Sequence, residues 1–211
     1  MQNIKNIIFD LGGIFIDIDY SKTEKAFIDL GVANFNDLYN QQKSSALFED
    51  LETGKITPLQ FCNALKNVTQ LPLTNEKIFM AWNAMLGHFQ KDKLLWLQSL
   101  KSQYNLYLFS NTNQIHFDAF NKVLEKDTGY NSLDSFFIKS YYSHQMKLRK
   151  PYPASFSFIL KEQKLVANET LFFDDTLINV KGAIKAGIHA VLVNPTENIQ
   201  HHSFFNSSNS I

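Results

Sequence analysis

The chain has 211 residues, of which 45% are apolar and 14% aromatic, with nineteen Phe and a formal net charge of zero. That composition excludes a disordered chain, and the length suits one good core plus a small second module. Balanced charge argues against nucleic acid as the main partner, although a small anionic substrate needs only a few local cations. The single cysteine, Cys62, excludes an intramolecular disulfide and a cysteine metal cluster. No apolar run reaches membrane-spanning length, and the start MQNIKNIIFD lacks a basic region followed by an apolar stretch and cleavage site. These features read as a cytoplasmic protein, monomer or homodimer, with no membrane partner.

Lys5 to Asp10 is predicted as the first strand. Its apolar run Ile7-Ile8-Phe9 has no polar alternation, as in a parallel strand covered on both faces. Asp10 then stands at the carboxyl end, where ligands bind in open α/β sheets. Gly12 and Gly13 follow and permit a sharp turn and a close approach to a ligand or ion. Ile14 to Tyr20 alternates apolar and acidic residues, an extended or hairpin-like segment with Asp17 and Asp19 on one side.

From Ser21 to Gly87 the pattern is helical. Ser21 to Glu24 reads as a capping box, with Gly31 as the stop. Thr57-Pro58-Leu59-Gln60 is a second start signal, followed by Phe61, Leu65 and Val68 at helical spacing. Ile78, Trp82 and Met85 mark a further helix. The stretch is too long for an ordinary crossover, so residues 21–87 are expected to form an inserted helical cap. Residues 1–20 and 88–200 form the core domain in this reading, and 201–211 a polar tail. After the insertion, helices and strands alternate: helix Asp92–Lys101, strand Leu106–Phe109, helix Ile115–Leu124, strand Phe136–Tyr141, helix Pro153–Lys164, strand Thr170–Phe173, helix Val180–Ala186 and strand His189–Val193. That alternation predicts an α/β fold with a Rossmann-like parallel sheet and the α-helical insertion.

Four strand ends therefore carry polar groups on one sheet edge: Asp10, Ser110-Asn111, Lys150 and Asp174-Asp175. Carboxylates grouped there suit a hard cation such as Mg²⁺, which prefers oxygen ligands. A lysine beside them balances charge, a hydroxyl and backbone amides can meet phosphate oxygens, and Asp10 can attack phosphorus.

With those motifs in order, the chain resembles the haloacid dehalogenase superfamily over about residues 4 to 195. IIFDLGG matches the nucleophile motif through Asp10. LYLFSNTN matches the second motif through Ser110, LRKPYP the third through Lys150, and LFFDDTLINVKGA the fourth through Asp174 and Asp175. GKITPLQF is similar to the caps of sugar-phosphatase-like and epoxide-hydrolase-N-domain-like members. The resemblance implies a Mg²⁺-dependent phosphatase on a small phosphorylated metabolite, with sugar phosphates the leading class, acting through an aspartyl-phosphate on Asp10. It implies Asp10, Ser110 and Lys150 as catalytic residues, and substrate contacts from Ser110, Asn111 and Lys150. It further implies metal held by Asp10, Asp175 and the Gly12 carbonyl, with Asp174 bound through water or backing the ligands and Asn179 holding a metal-bound water.

One departure stands out. Phosphatases of this family usually carry a second Asp two residues after the nucleophile, where this chain has Gly12. Three readings follow: another acid substitutes, with Asp17 or a cap residue as candidates; the substrate has a good leaving group; or the protein is a weak or inactive member that binds a metabolite or partner. Asp17 is accordingly a candidate substrate-side residue. Carbon–halogen hydrolysis by Asp10 is a lesser alternative, because such relatives need no metal and the acidic pair would have less purpose. Lys147 and Arg149 read as a solvated basic loop able to attract phosphate. Cys62, Trp82 and Trp96 read as packing, and His88, His116, His144 and His189 show no metal-ligand spacing.

Overall fold

The structure is a computed structural model and describes residues 3–39, 45–194 and 197–206. In chain order, β1 (Asn6–Phe9) and β2 (Ile16–Ile18) precede five helices: α1 (Tyr20–Asp29), α2 (Phe35–Leu38), α3 (Ala46–Glu52), α4 (Pro58–Thr69) and α5 (Asn75–Asn83). Then come β3 (Leu86–Phe89), α6 (Lys91–Leu100), β4 (Asn105–Ser110), α7 (Gln114–Thr128), β5 (Lys139–Tyr142), α8 (Ser143–Met146) and α9 (Pro153–Glu162). The chain continues through β6 (Thr170–Asp174), α10 (Leu177–Lys185), β7 (His189–Leu192) and α11 (Ser203–Asn206).

Five strands form one parallel sheet in the order β5-β4-β1-β6-β7. Alternate residues of β1 go to opposite faces, as the pleat requires. Ile7 and Phe9 join Leu106, Leu108, Leu171 and Phe173 beneath α6 and α7, whereas Ile8 joins Tyr107, Phe109 and Phe172 beneath α9 and α10. Both faces are buried, which is why the strands read as continuous apolar runs. The register is flush: Phe9 lies opposite Leu108 on one side and Phe173 on the other.

Helices α1 to α5 bury an aromatic cluster of their own around Phe27, Phe35, Phe48, Phe61 and Trp82. Trp82 is fully buried there, in edge and tilted contacts with Phe35, Tyr39 and Phe48. Cys62 is also buried in this cluster. The Thr57 capping box is present in full, with Gln60 and Thr57 exchanging side-chain to backbone bonds at 3.2 and 2.8 Å. The first cap differs from the sequence reading. Asp19, not Ser21, is the N-cap of α1; its carboxylate accepts from Ser21 N at 3.1 Å, so the helix starts at Tyr20.

Two further expectations fail. The stretch from Ser21 to Gly87 is not free of strand, because Leu86–Phe89 pairs antiparallel with Ile16–Ile18. The alternation in Ile14 to Tyr20 therefore marks half of a ribbon whose other half lies some seventy residues on, beyond the reach of a local pattern. The segment after His201 is not merely a polar tail. Phe205, 8% exposed, stacks on Phe9 and Phe173 and meets Trp96 edge-on. The Ser, Asn and His of this segment masked two aromatic anchors; residues 207–211 lie outside the described residues.

Candidate active site

The flush register brings the polar strand ends together. Asp10 follows β1, and its backbone N–H donates to Phe173 O at 2.9 Å, which ties it to the end of β6. Lys150 enters from the loop after α8 and is 1% exposed. Its Nζ sits 2.7 Å from Asp10 Oδ1 and 2.6 Å from Asp174 Oδ2, above the rings of Phe109 and Phe172. Asp174 is fully buried and saturated: Thr176 N donates to Oδ1 at 2.8 Å, and Asn179 Nδ2 reaches both oxygens at 3.1 Å.

One oxygen from each of Asp10, Asp174 and Asp175 lies within 4.8 Å of the others. Three carboxylates against one ammonium leave two negative charges, the complement of one divalent cation. The donors are all hard oxygens, as Mg²⁺ requires. Gly13 makes the cradle possible: it has φ +69°, and a Cβ there would fall 2.3 Å from Asp175 Oδ2. Burial, reinforced by the neighbouring carboxylates, pushes Asp10 well above the ordinary carboxylate range despite Lys150. Asp175 is raised by burial and by Asp174. Burial would lower the Lys150 ammonium, but Asp10 and Asp174 outweigh it and hold it protonated. A bound cation would favour the ionised acids.

A cavity of about 360 Å³ opens over this edge. Asp10, Gly12, Ser110, Lys150 and Asp175 line its floor; Tyr20, Tyr39, Glu49 and Glu52 line its helical wall. The sequence pattern of the haloacid dehalogenase-like hydrolases matches residues 4–187.

The chain belongs to that family.

It is 33% identical over 177 residues to D-ribitol-5-phosphate phosphatase of Bacteroides thetaiotaomicron, covering 84% of this chain and 85% of the relative. A predicted haloacid dehalogenase-like hydrolase from Porphyromonas gingivalis superposes with TM-score 0.87 at 30% identity, over 99% of this chain and all of that one. A family enzyme from B. thetaiotaomicron, solved as an aspartate-to-alanine variant with magnesium and inorganic phosphate, gives TM-score 0.85 at 31% identity. That match covers 94% of this chain and 98% of the other.

Several residues of this family member differ in role from the sequence reading. Asp17 is exposed on β2, while its neighbours Ile16 and Ile18 turn toward the cavity. The strand's two-residue period puts Asp17 on the opposite face, so it is no candidate for an acid or a substrate contact. Asn111 lines the cavity, but its side chain is taken: Nδ2 donates to Lys150 O at 3.0 Å and Oδ1 accepts from Lys150 N at 2.9 Å. It fixes the lysine loop to the end of β4. Asn179 lines the cavity and donates its Nδ2 to Asp174, and Asp174 holds Lys150, a backing place that the resemblance already allowed for it.

Gly12 has ordinary φ, yet a Cβ there would lie 3.1 Å from Ile18 Cγ1. The position where phosphatases of this family usually carry an acid is crowded by the Ile18 side chain of β2. Arg149 is not a solvated loop residue: it pairs with Glu49, and its Nη2 lies 3.0 Å from Glu52 Oε2. Lys147 Nζ donates to Gly54 O at 2.6 Å. Both therefore tie the lysine loop to the helical wall. His116 also faces the cavity, fixed between Asn113 Nδ2 at 3.2 Å and Trp82 O at 3.0 Å. Glu49, Glu52, Tyr20, Tyr39 and His116 carry no local motif, since each owes its place to packing between distant elements.

Proposed function

We propose that this hydrolase is a Mg²⁺-dependent phosphatase of a small phosphorylated sugar or polyol, with Asp10 as nucleophile. The observation that carries the reading is the buried Lys150 bridging Asp10 and Asp174 beside Asp175, at the floor of a cavity of small-ligand size. Asp10, Asp175 and the Gly12 carbonyl would hold Mg²⁺, which supplies charge neutralisation to the phosphoryl group. Lys150 keeps Asp10 in place through Nζ, and its charge faces the phosphate. Ser110, buried at the floor, offers a hydroxyl to a phosphate oxygen. Asp10 attacks phosphorus and forms an aspartyl-phosphate, which water then hydrolyses.

The helical wall from Tyr20 to Met85 serves as the cap. Its phenols, carboxylates and Arg149 suit an array of hydroxyl groups, and the likeness to a D-ribitol-5-phosphate phosphatase favours pentitol and pentose phosphates. Purified protein with MgCl₂ is expected to release phosphate from such esters within a sugar- and polyol-phosphate panel. Asp10→Asn should reduce release to background, as should excess EDTA. A wild-type protein that turns over no member of the panel overturns the reading. Thermal stabilisation by those esters without turnover would instead support a binding protein, the alternative that Gly12 raises.

A further inference from the structure

A sugar or polyol phosphate leaves as an alkoxide, a strong base that needs a proton as the P–O bond breaks. Gly12 has no side chain to give one, and Asp17 points away. In-line displacement sets the departing oxygen on the side of phosphorus opposite Asp10, toward the cap wall. There Glu52, at the end of α3, is 5% exposed and lines the cavity that Asp10 floors. Its Oε1 accepts from the Tyr39 hydroxyl at 3.3 Å. Its Oε2 is buried and ion-paired with Arg149 Nη2 at 3.0 Å, and among the described residues no donor meets it in hydrogen-bond geometry. Glu49, the other acid on this wall, is more open to solvent and takes the first Arg149 nitrogen.

We propose that Glu52 is the proton donor to the leaving oxygen and the base for the second half-reaction, an assignment that rests on the phosphatase reading above. Burial raises its carboxyl above the ordinary range, partly opposed by Arg149, the direction that suits a group that gives up and regains a proton. The Tyr20 and Tyr39 phenols are pushed upward by burial and by nearby carboxylates, so they are poorer acids. In the first step Asp10 bonds to phosphorus, the ester P–O bond breaks, and the departing oxygen takes the Glu52 proton. In the second, the Glu52 carboxylate takes a proton from water, whose oxygen bonds to phosphorus. The Asp10–phosphorus bond then breaks, releasing inorganic phosphate and a protonated Glu52.

Leaving-group dependence separates proton donation from a role in binding or folding. Glu52→Gln keeps the shape and loses the proton. With a polyol phosphate, kcat is expected to fall about 10²- to 10⁴-fold. With p-nitrophenyl phosphate, whose leaving group needs no proton, the burst of p-nitrophenol should stay within a few-fold of wild type and phosphoenzyme should accumulate. In the phosphoenzyme-forming step Glu52→Asp should show a smaller loss, confined to the polyol ester. An equal loss on both esters in the single-turnover rate of phosphoenzyme formation, or no loss on either, would overturn the assignment while leaving the phosphatase reading intact. A wild-type protein inactive on both esters would overturn the two together.

Discussion

Asn111 shows how a residue beside the chemistry can act entirely through its neighbour. Its amide exchanges two hydrogen bonds with the Lys150 backbone, and the ammonium at the other end of that residue touches two carboxylates. Removing the clamp frees the loop without removing the charge. Asn111→Ala should lose about 2 kcal/mol of stability, roughly 1 per neutral hydrogen bond. It should lower kcat by about 10²-fold, the cost of a small misplacement of a positioned group. Denaturant midpoints and steady-state kinetics check both, and a change in KM alone would assign Asn111 to substrate binding. Gly13 works by a different route: the space it leaves is filled by Asp175, so any side chain there displaces an acid from the candidate metal cradle.

Helices α5 and α7 meet through His116. The ring stacks on Trp82 with centroids 4.6 Å apart, and its Nε2 faces Trp82 O, which also accepts from Thr23 Oγ1 at 3.1 Å. A carbonyl partner at Nε2 requires the proton there, leaving Nδ1 to accept from Asn113. Burial lowers the ring's pKa to about 4, only partly opposed by the bond to Trp82 O. Between that value and the unfolded one near 6.5, the unfolded chain binds more protons, so stability rises with pH. The contribution is complete above about pH 6.5 and disappears as pH falls toward 4, a span of roughly 3 kcal/mol. Urea unfolding at pH 7.5 and pH 5 should show about 2 kcal/mol of this loss, and His116→Gln should flatten the slope. An unchanged slope in that variant would mean that His116 carries no such linkage.

Across the whole molecule, the sheet is closed at its far side by a residue from the last described turn. Phe205 lies against Phe9 and Phe173, the residues that immediately precede Asp10 and Asp174. Packing at the end of the chain thus supports both strands that carry the site. Phe205→Ala should destabilise the protein by about 3 kcal/mol or more, as for other buried Phe truncations. Thermal unfolding checks this, and a loss under 1 kcal/mol would place the aromatic stack outside the cooperative core. The insertion joins the sheet through the β2–β3 ribbon and is tied back over the site by Arg149 and Lys147. These links run between the lysine loop and the helical wall that carries Glu49 and Glu52.

The sequence alone determined the parallel sheet and the polar edge at its strand ends. Short apolar runs without alternation, bounded by turn residues and alternating with helical patterns, read as strands buried on both faces, and parallel strands put every strand end on one side. Asp10, Ser110, Lys150 and Asp175 could therefore be brought together before any fold was in hand. Local chemistry likewise fixed the Thr57 cap, because its partners are three residues apart. Tertiary structure decided what depends on contacts across the chain. It turned Asp17 away by pairing β2 with β3, bound Asn111 to the lysine loop, and set Arg149 between Glu49 and Glu52. The same packing drew Phe205 under β1. Residue type and spacing carry information over a few residues. Which side of a strand faces a cavity, and which charge finds a distant partner, are fixed only when the whole chain packs.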